Sequence, residues 1–344
     1  MALSQTQNVG GQFFNEVKNI FITFVAAKAV IDGDFTLGMM LSVQYIIGQL
    51  NLPINNLITF IQTGQDAKIS LERLEEIHSK KEEEDKDEDF LSQLPNNRSI
   101  VIKNLSFRYG GNQSPKVLDK ISLTIPEGKV TAIVGGSGSG KTTLIKLLLK
   151  FYEPTKGAVL IDNVDLKNFG ASFWRRNCGT VMQDGFLFSD TISRNITESD
   201  SENQMDKKRL IHAVRVANIE KLIEQLPTGF NTKIGASGIN ISGGERQRIL
   251  IARAVYKNPN YIFFDEATSA LDANNEKQIM DNLENFYKNK TVVVVAHRLS
   301  TVKNADQIIV LDEGKIVEKG THNSLSKKKG LYYRLVKNQL ELGN

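Results

Sequence analysis

The nine residues Gly135–Thr143, GGSGSGKTT, decide the fold of this 344-residue chain. They match the pattern G-x-x-x-x-G-K-[ST], and they lie between an apolar run, Val130–Val134, and a helical pattern, Thr143–Phe151. In that context the glycines let backbone N–H groups wrap around phosphate oxygens, and the following helix N-terminus adds positive potential. We therefore predict a phosphate-binding loop in an α/β domain, although the pattern alone also occurs by chance.

The residues of this loop have separate expected roles. Lys141 is expected to place a positive charge against the β- and γ-phosphate oxygens, and Thr142 is expected to ligate Mg²⁺. The other expected ATP contacts are Gly135, Gly136, Ser137, Gly138, Ser139, Gly140 and Thr143.

Two acidic residues follow a second apolar strand pattern, Tyr261–Phe264. Asp265 is placed to hold Mg²⁺, directly or through a water molecule, and Glu266 is placed to polarise the attacking water as general base. The alternative is a pair of exposed carboxylates at a strand end. Together with a phosphate loop, the pair favours ATP hydrolysis.

The composition sets limits on other functions. A net charge of +4 and an apolar fraction of 40% give no reason to expect a nucleic-acid partner. The single cysteine, Cys178, excludes an intrachain disulfide and an all-cysteine metal site, so we expect a packed thiol. His78, His212 and His322 have no neighbour at metal-ligand spacing, and we expect structural roles for them.

The N-terminal region has the composition of a membrane segment. Residues 35–65 contain no charged residue, and Leu37–Ile61 is long enough to cross a bilayer as a helix. The apolar run Ile20–Ile31 predicts a second span. Since basic residues follow from Lys68 onwards, we expect the turn at 32–34 outside and the rest of the chain in the cytoplasm. The alternative is a pair of buried helices in a soluble protein.

Three domains follow from these changes in composition. Residues 1–78 form a transmembrane domain with two predicted helices, and residues 79–95, which include the charged run KKEEEDKDED, form a solvated linker. Residues 96–344 form the ATP-binding domain, which begins with alternating strands typical of antiparallel sheet. The continuous apolar runs at 130–134, 262–264 and 292–295 predict parallel strands covered on both faces.

The segment Asn240–Arg248, NISGGERQR, lies before an amphipathic helix and resembles the signature sequence of the ABC (ATP-binding cassette) ATPases. The resemblance implies that Ser242, Gly243 and Gly244 of one subunit meet the γ-phosphate held by the phosphate loop of a second subunit. The alternative is a loop in which Ser242 only caps the helix.

Four further positions resemble motifs of this family. Gln183 matches the Q-loop glutamine that touches Mg²⁺ and water, and Asp272 matches the D-loop, which contacts the opposite subunit. His297 matches the switch histidine, and Tyr109 matches the aromatic residue that stacks on adenine. The implied catalytic set is Glu266, His297, Gln183 and Lys141. The implied fold is a P-loop NTPase cassette with a parallel core sheet, an antiparallel β subdomain and an α-helical subdomain, preceded by two transmembrane helices.

Residues 10–78 resemble the last two of the six transmembrane helices of an exporter half-transporter. The resemblance implies a C-terminal fragment in the inner (plasma) membrane, with its ATPase domain on the cytoplasmic face. The implied partners are an identical second subunit, upstream transmembrane helices, the lipid bilayer and a transported substrate. The runs at 151–154 and 181–192 are similar to bacterial peptide and bacteriocin exporters that carry a peptidase domain.

Three positions depart from the family pattern. Ile241 and Glu245 replace a usual leucine and glutamine, and Ala236 stands where exporters often have a glutamate that contacts intracellular loops. Three alternatives remain: an exporter of lipids or drugs, a soluble ABC ATPase without a transport role, and a non-catalytic regulatory cassette.

Overall fold

The computed structural model describes residues 2–78, 83–84, 89–110, 114–200, 204–235, 238–268, 271, 273–296 and 302–342. The chain divides into two compact units, Met1–Glu83 and Glu84–Asn344.

The first unit consists of two helices, α1 (Ala2–Ile31) and α2 (Leu37–His78). The polar turn between them contains Gly33 at a positive φ of 85°. The Lys18 ammonium group of α1 donates a hydrogen bond of 2.9 Å to Asn51 Oδ1 of α2. This contact ties the two helices together at one polar position.

By length and composition, the stretch Leu37–Glu76 of α2 could cross a membrane. Its mean hydropathy is 1.2, and 0% of its apolar window is buried. No other helix in the described part of the chain meets these criteria, and α1 is among those that do not. The second span at Ile20–Ile31 therefore stays a prediction.

Within its described residues, the second unit contains ten strands in two sheets. They are β1 (Ile100–Phe107), β2 (Leu118–Ile125), β3 (Val130–Gly135), β4 (Lys156–Ile161), β5 (Val164–Asp165), β6 (Cys178–Val181), β7 (Tyr261–Asp265), β8 (Thr291–Val295), β9 (Gln307–Asp312) and β10 (Lys315–Gly320). The smaller sheet is antiparallel, in the order β2-β1-β4-β5. The larger sheet has the order β10-β9-β3-β8-β7-β6.

The larger sheet confirms the predicted parallel core. Strand β3 is parallel to both β8 and β9, and β7 is parallel to both β8 and β6. Only the pair β9–β10 is antiparallel within this sheet. Its turn has Glu313 and Gly314 at φ values of 44° and 74°, which are the backbone angles of a tight hairpin turn.

The continuous apolar runs have a simple cause, because alternate residues of the same strands enter two different cores. One core packs against helices on one face of the sheet, and its strand residues are Ala132, Val134, Ile262, Phe264, Val292, Val294, Ile308 and Val310. The other core is shared with the antiparallel sheet, and its strand residues are Ile133, Tyr261, Phe263, Val293, Val295, Ile309 and Leu311. A strand covered on both faces needs an apolar side chain at every position.

The other α-helices whose bounds lie within the described residues are α3 (Lys141–Leu148), α4 (Ala171–Arg176), α5 (Ile192–Ile196), α6 (Lys207–Val216), α7 (Glu220–Gln225), α8 (Gly243–Lys257), α9 (Ala273–Phe286), α10 (His322–Lys328) and α11 (Leu331–Leu342). Helix α3 differs from the predicted Thr143–Phe151 at both ends. It begins directly after Gly140, which has a left-handed φ of 99° and forms the N-cap. It has ended before Lys150, whose φ of 59° is not helical.

One other expectation is corrected. The first strand does not alternate regularly along its length, because the pairing of β1 shifts around Asn104, which has a φ of 48°. One described residue of the charged run, Glu84, makes a contact within the second unit. The Glu84 carboxylate accepts a hydrogen bond from the Ser172 N–H in the first turn of α4, and this bond lowers the Glu84 pKa. Helix N-termini have free N–H groups that attract carboxylates.

The Cys178 thiol offers a test of the packed second unit. Its residue is 2% exposed in the core, and burial raises the thiol pKa well above its usual range. Because the thiolate is the reactive form, we expect iodoacetamide to alkylate native protein on the order of 10³-fold more slowly than the chain unfolded in urea. Mass spectrometry of timed samples measures both rates. Equal rates would contradict the burial of this strand.

Candidate functional site

In the larger sheet, strands β3, β6 and β7 bring the phosphate loop, Gln183, Asp265 and Glu266 to one edge. Because β3, β8, β7 and β6 run parallel, their carboxyl ends lie side by side. A cavity of about 260 Å³ opens at this edge, lined by Val117, Ser137, Gly138, Gly140, Lys141, Thr142, Thr143, Gln183 and Glu266. Residues from three separate predicted motifs therefore line one cavity.

Glycine is needed at both ends of the phosphate loop. A Cβ atom on Gly135 would lie 2.2 Å from the Leu311 carbonyl oxygen of β9, which is far inside van der Waals contact. At Gly140 the φ of 99° disfavours any other residue, and a Cβ atom would lie 2.6 Å from Leu118 Cδ2. The loop can thus turn from β3 into α3 only with these residues.

Lys141 lies at the start of α3 and is only 6% exposed. Its ammonium group donates hydrogen bonds to the carbonyl oxygens of Gly135 at 3.0 Å and Gly136 at 2.8 Å. Burial lowers the Lys141 pKa, while the nearby carboxylates of Glu266 and Asp265 act in the opposite direction. The result is a partly desolvated cation held at the loop, which is well suited to pair with phosphate oxygens.

Asp265 ends β7 and is fully buried. Burial raises its pKa; the Thr142 hydroxyl is near enough to lower it in part, and the Glu266 charge raises it. Neither carboxylate oxygen of Asp265 has a hydrogen bond of normal geometry from any described residue. Burying a charged carboxylate without hydrogen bonds costs free energy unless a cation balances its charge. Hard oxygen ligands are what Mg²⁺ prefers, so Asp265 and Thr142 fit that ion.

Glu266 follows immediately and lines the cavity. Its backbone has a left-handed φ of 52°, which is unusual for a residue other than glycine. The Glu266 N–H donates to the Val295 carbonyl at 3.1 Å, and the Glu266 carbonyl accepts from Gln247 Nε2 at 3.1 Å. No local sequence pattern links Gln247 to Glu266, 19 positions away, so this contact was not predicted.

Gln183 and Tyr109 lie at different parts of the site. Gln183 follows β6, is exposed, and lines the same cavity as the phosphate loop. The Tyr109 hydroxyl is 3.1 Å from Thr143 Oγ1 of α3, so the aromatic ring lies beside the loop. Its ring contacts Phe107 and Tyr152 edge to face, with centroids 4.8 and 5.3 Å apart.

The signature segment, Asn240–Arg248, is not part of the cavity lining. Ser242 caps α8: its hydroxyl accepts a hydrogen bond from the Glu245 N–H, and Glu245 Oε2 accepts from the Ser242 N–H at 2.7 Å. The Ser242 hydroxyl also donates to Glu245 Oε2 at 2.7 Å, and the bonds that this carboxylate accepts from the Ser242 hydroxyl and N–H lower the Glu245 pKa. Ser242 and Gly243 are exposed, and among the described residues neither they nor Gly244 line the cavity. The S-x-x-E pattern of this capping box was visible in the sequence.

A second network ties the segment after Gln183 to α8. The Asn195 side chain is fully buried and donates to the carbonyl oxygens of Phe188 and Thr191, both at 3.0 Å. Arg253 of α8 donates to the Phe186 carbonyl at 3.0 Å and to the Asn195 carbonyl at 2.7 Å. The sequence analysis assigned no role to Asn195 or Arg253.

Two predicted site residues, Asp272 and His297, lie outside the described residues, as does Ala236. The other three histidines lie away from the cavity lining. His78 ends α2, His212 is exposed on α6, and His322 Nδ1 lies 2.7 Å from the Tyr332 hydroxyl. Within the described ranges, no group of three or more His, Cys, Asp or Glu residues could hold a metal ion.

Known proteins are similar in sequence to this chain over nearly its whole length. It is 40% identical over 333 residues to the toxin RTX-I translocation ATP-binding protein of Actinobacillus pleuropneumoniae, covering 96% of this chain and 46% of that protein. It is 41% identical over 324 residues to the alpha-hemolysin translocation ATP-binding protein HlyB of Escherichia coli, covering 94% and 45%. The chain thus spans about half the length of the curated relatives it matches.

A solved structure and a family model agree with these relatives. The structure of a bacterial Atm1-family ABC exporter with ATP bound superposes with a TM-score of 0.74 at 31% identity, covering 98% of this chain and 59% of that chain. Residues 118–269 match the family model of the ABC transporter. The predicted cassette fold is therefore confirmed, and this chain carries an ATP-binding domain that belongs to the ABC transporter family, with exporters among its relatives.

Proposed function

We propose that this chain is the ATP-binding and ATP-hydrolysing motor of an ABC exporter. The observation that carries the proposal is the cavity at the sheet edge, where the phosphate loop, Gln183 and Glu266 lie together beside the buried carboxylate of Asp265. The chain's similarity to proteins named translocation ATP-binding proteins supports a role in transport.

The site residues have separate roles in ATP binding and hydrolysis. The loop N–H groups and the Lys141 ammonium bind the phosphates of ATP, and Tyr109 stacks on the adenine. Asp265, Thr142 and Gln183 would hold Mg²⁺, which would supply positive charge to the phosphates of ATP. Glu266 accepts a proton from the attacking water as general base, and His297 bonds the γ-phosphate.

A second copy of the chain completes the site in this proposal. Ser242 and Gly243 are exposed at the N-terminus of α8, where free N–H groups and positive potential favour a phosphate. Since they lie away from the chain's own loop, they are available to the ATP held by a partner, and Asp272 contacts the same partner. A two-fold pair of chains then encloses two ATP molecules.

The N-terminal helices connect this motor to a membrane. Apolar side chains of α2 are widely exposed, with Phe60 at 75%, Tyr45 at 69% and Leu52 at 68%. A soluble ABC ATPase would not expose such an apolar surface to water. We therefore place these helices in the bilayer of the inner membrane, with the ATPase domain on the cytoplasmic face. Upstream transmembrane helices of the full protein complete the path.

The cargo that fits best is a protein or peptide, because the relatives named above translocate protein toxins according to their names. Lipid or drug export is the alternative. ATP binding stabilises the closed pair of chains and shifts the membrane helices, and hydrolysis resets them.

The variant Glu266→Gln tests the proposed base. Removing the proton acceptor while keeping the shape should lower phosphate release about 10²–10⁴-fold. ATP affinity should stay within about twofold, because the amide does not touch the loop contacts of Lys141. Phosphate release and fluorescent-nucleotide binding measure the two effects.

Glu224→Gln on α7 is the matched control, because Glu224 is exposed and lies outside the cavity lining. It should leave phosphate release unchanged. Near-normal turnover in Glu266→Gln would exclude Glu266 as the base.

The variant Asp265→Asn tests the proposed Mg²⁺ site. It should raise the Mg²⁺ concentration needed for half-maximal turnover at least about tenfold. Because burial disfavours the ionised form of Asp265, the neutral amide should also raise the melting temperature in magnesium-free buffer near pH 7. Wild-type Mg²⁺ dependence together with an unchanged melting temperature would contradict the assignment.

A further inference from the structure

Glu266 is held in a backbone conformation that costs free energy. Its φ of 52° lies in the left-handed region, which is strained for a residue with a side chain. Such a conformation persists only where the surroundings impose it. Here it turns the chain at the end of β7, and Glu266 lines the cavity next to Lys141 and Gln183.

Hydrogen bonds to both backbone groups of Glu266 supply that constraint. The N–H donates to the Val295 carbonyl, which continues the pairing of β7 with β8 and does not depend on a particular side chain. The carbonyl accepts from the side-chain amide of Gln247 at 3.1 Å. Of these two bonds, only the second can be removed by changing a side chain.

Gln247 is well placed to hold its partner. It is 7% exposed and lies on α8, which packs into the core through Ile249, Leu250, Ile251, Ala252 and Val255. It lies five residues after Ser242, about 7.5 Å along the helix axis. One rigid helix therefore begins at the exposed signature segment and supports Glu266 from within the core.

We infer that Gln247 is a positioning residue for the ATPase reaction: its side-chain amide holds Glu266 in the left-handed conformation that places its carboxylate in the cavity. This inference rests on the proposed function, since it takes Glu266 as the general base. Gln247 acts through the Glu266 backbone and needs no contact with ATP.

The test is Gln247→Met, which keeps the length of the side chain and removes its N–H donor. Because a small displacement of a catalytic group is costly, kcat should fall about 10- to 100-fold. The KM for ATP and the affinity for nucleotide should stay within about twofold. Gln247→Glu replaces the N–H donor with a carboxylate, which places an acceptor against the Glu266 carbonyl oxygen. This variant should lower kcat at least as much as Gln247→Met.

Gln307→Met is the matched control. The Gln307 side chain donates a hydrogen bond of the same 3.1 Å length to the Thr124 carbonyl, remote from the cavity lining. This variant should keep the wild-type kcat. Melting temperatures of all variants separate a loss of positioning from a loss of folding.

A double variant distinguishes positioning from other roles. If Gln247 acts only through the Glu266 carboxylate, adding Gln247→Met to Glu266→Gln should change the residual single-turnover rate by less than about twofold. A full multiplicative loss would overturn the inference, as would a wild-type kcat in folded Gln247→Met. Unfolding of both Gln247 variants would also overturn it, because the residue would then support the helix and not the base.

The same set of variants separates this inference from the proposed function. Normal turnover in Glu266→Gln would defeat the proposed base and the inference together. A strong loss in Glu266→Gln with normal turnover in Gln247→Met would defeat the inference alone.

Discussion

The parallel alignment of four neighbouring strands is the constraint on which the rest of the site depends. Strands β3, β8, β7 and β6 end at the same edge of the larger sheet, so the residues that follow β3, β6 and β7 lie around one cavity. Two cores hold this alignment, because successive residues of each strand are buried on opposite faces. A shift of one residue in any strand would exchange the two faces.

Helix α8 joins the parts of the second unit that the strands do not reach. Its first turn is the exposed signature segment, Gln247 bonds the backbone of Glu266, and Arg253 bonds the segment that follows Gln183. A displacement of this helix would therefore move both the backbone of Glu266, the proposed base, and the segment that follows Gln183. In our account, a partner's ATP at the signature acts on the chain through this helix.

Sequence patterns predicted the features that are encoded locally. The phosphate loop needs its glycines and lysine in one short run, and strands buried on both faces need unbroken apolar runs. Both features could therefore be predicted from the sequence. The contact between Gln247 and Glu266 was not, because it joins residues far apart in sequence through packing alone. The irregular pairing at Asn104 also escaped prediction, since alternation continues on both sides of the bulge. Asp272, His297 and the second membrane span stay predictions.

The central claim is that each ATP site is completed by a second copy of the chain. The dependence of ATP turnover on protein concentration tests it most directly. If two chains form each site, the turnover rate per chain should rise with concentration and reach a plateau once the chains are paired. A rate per chain that stays constant down to concentrations at which sedimentation shows single chains would contradict the account.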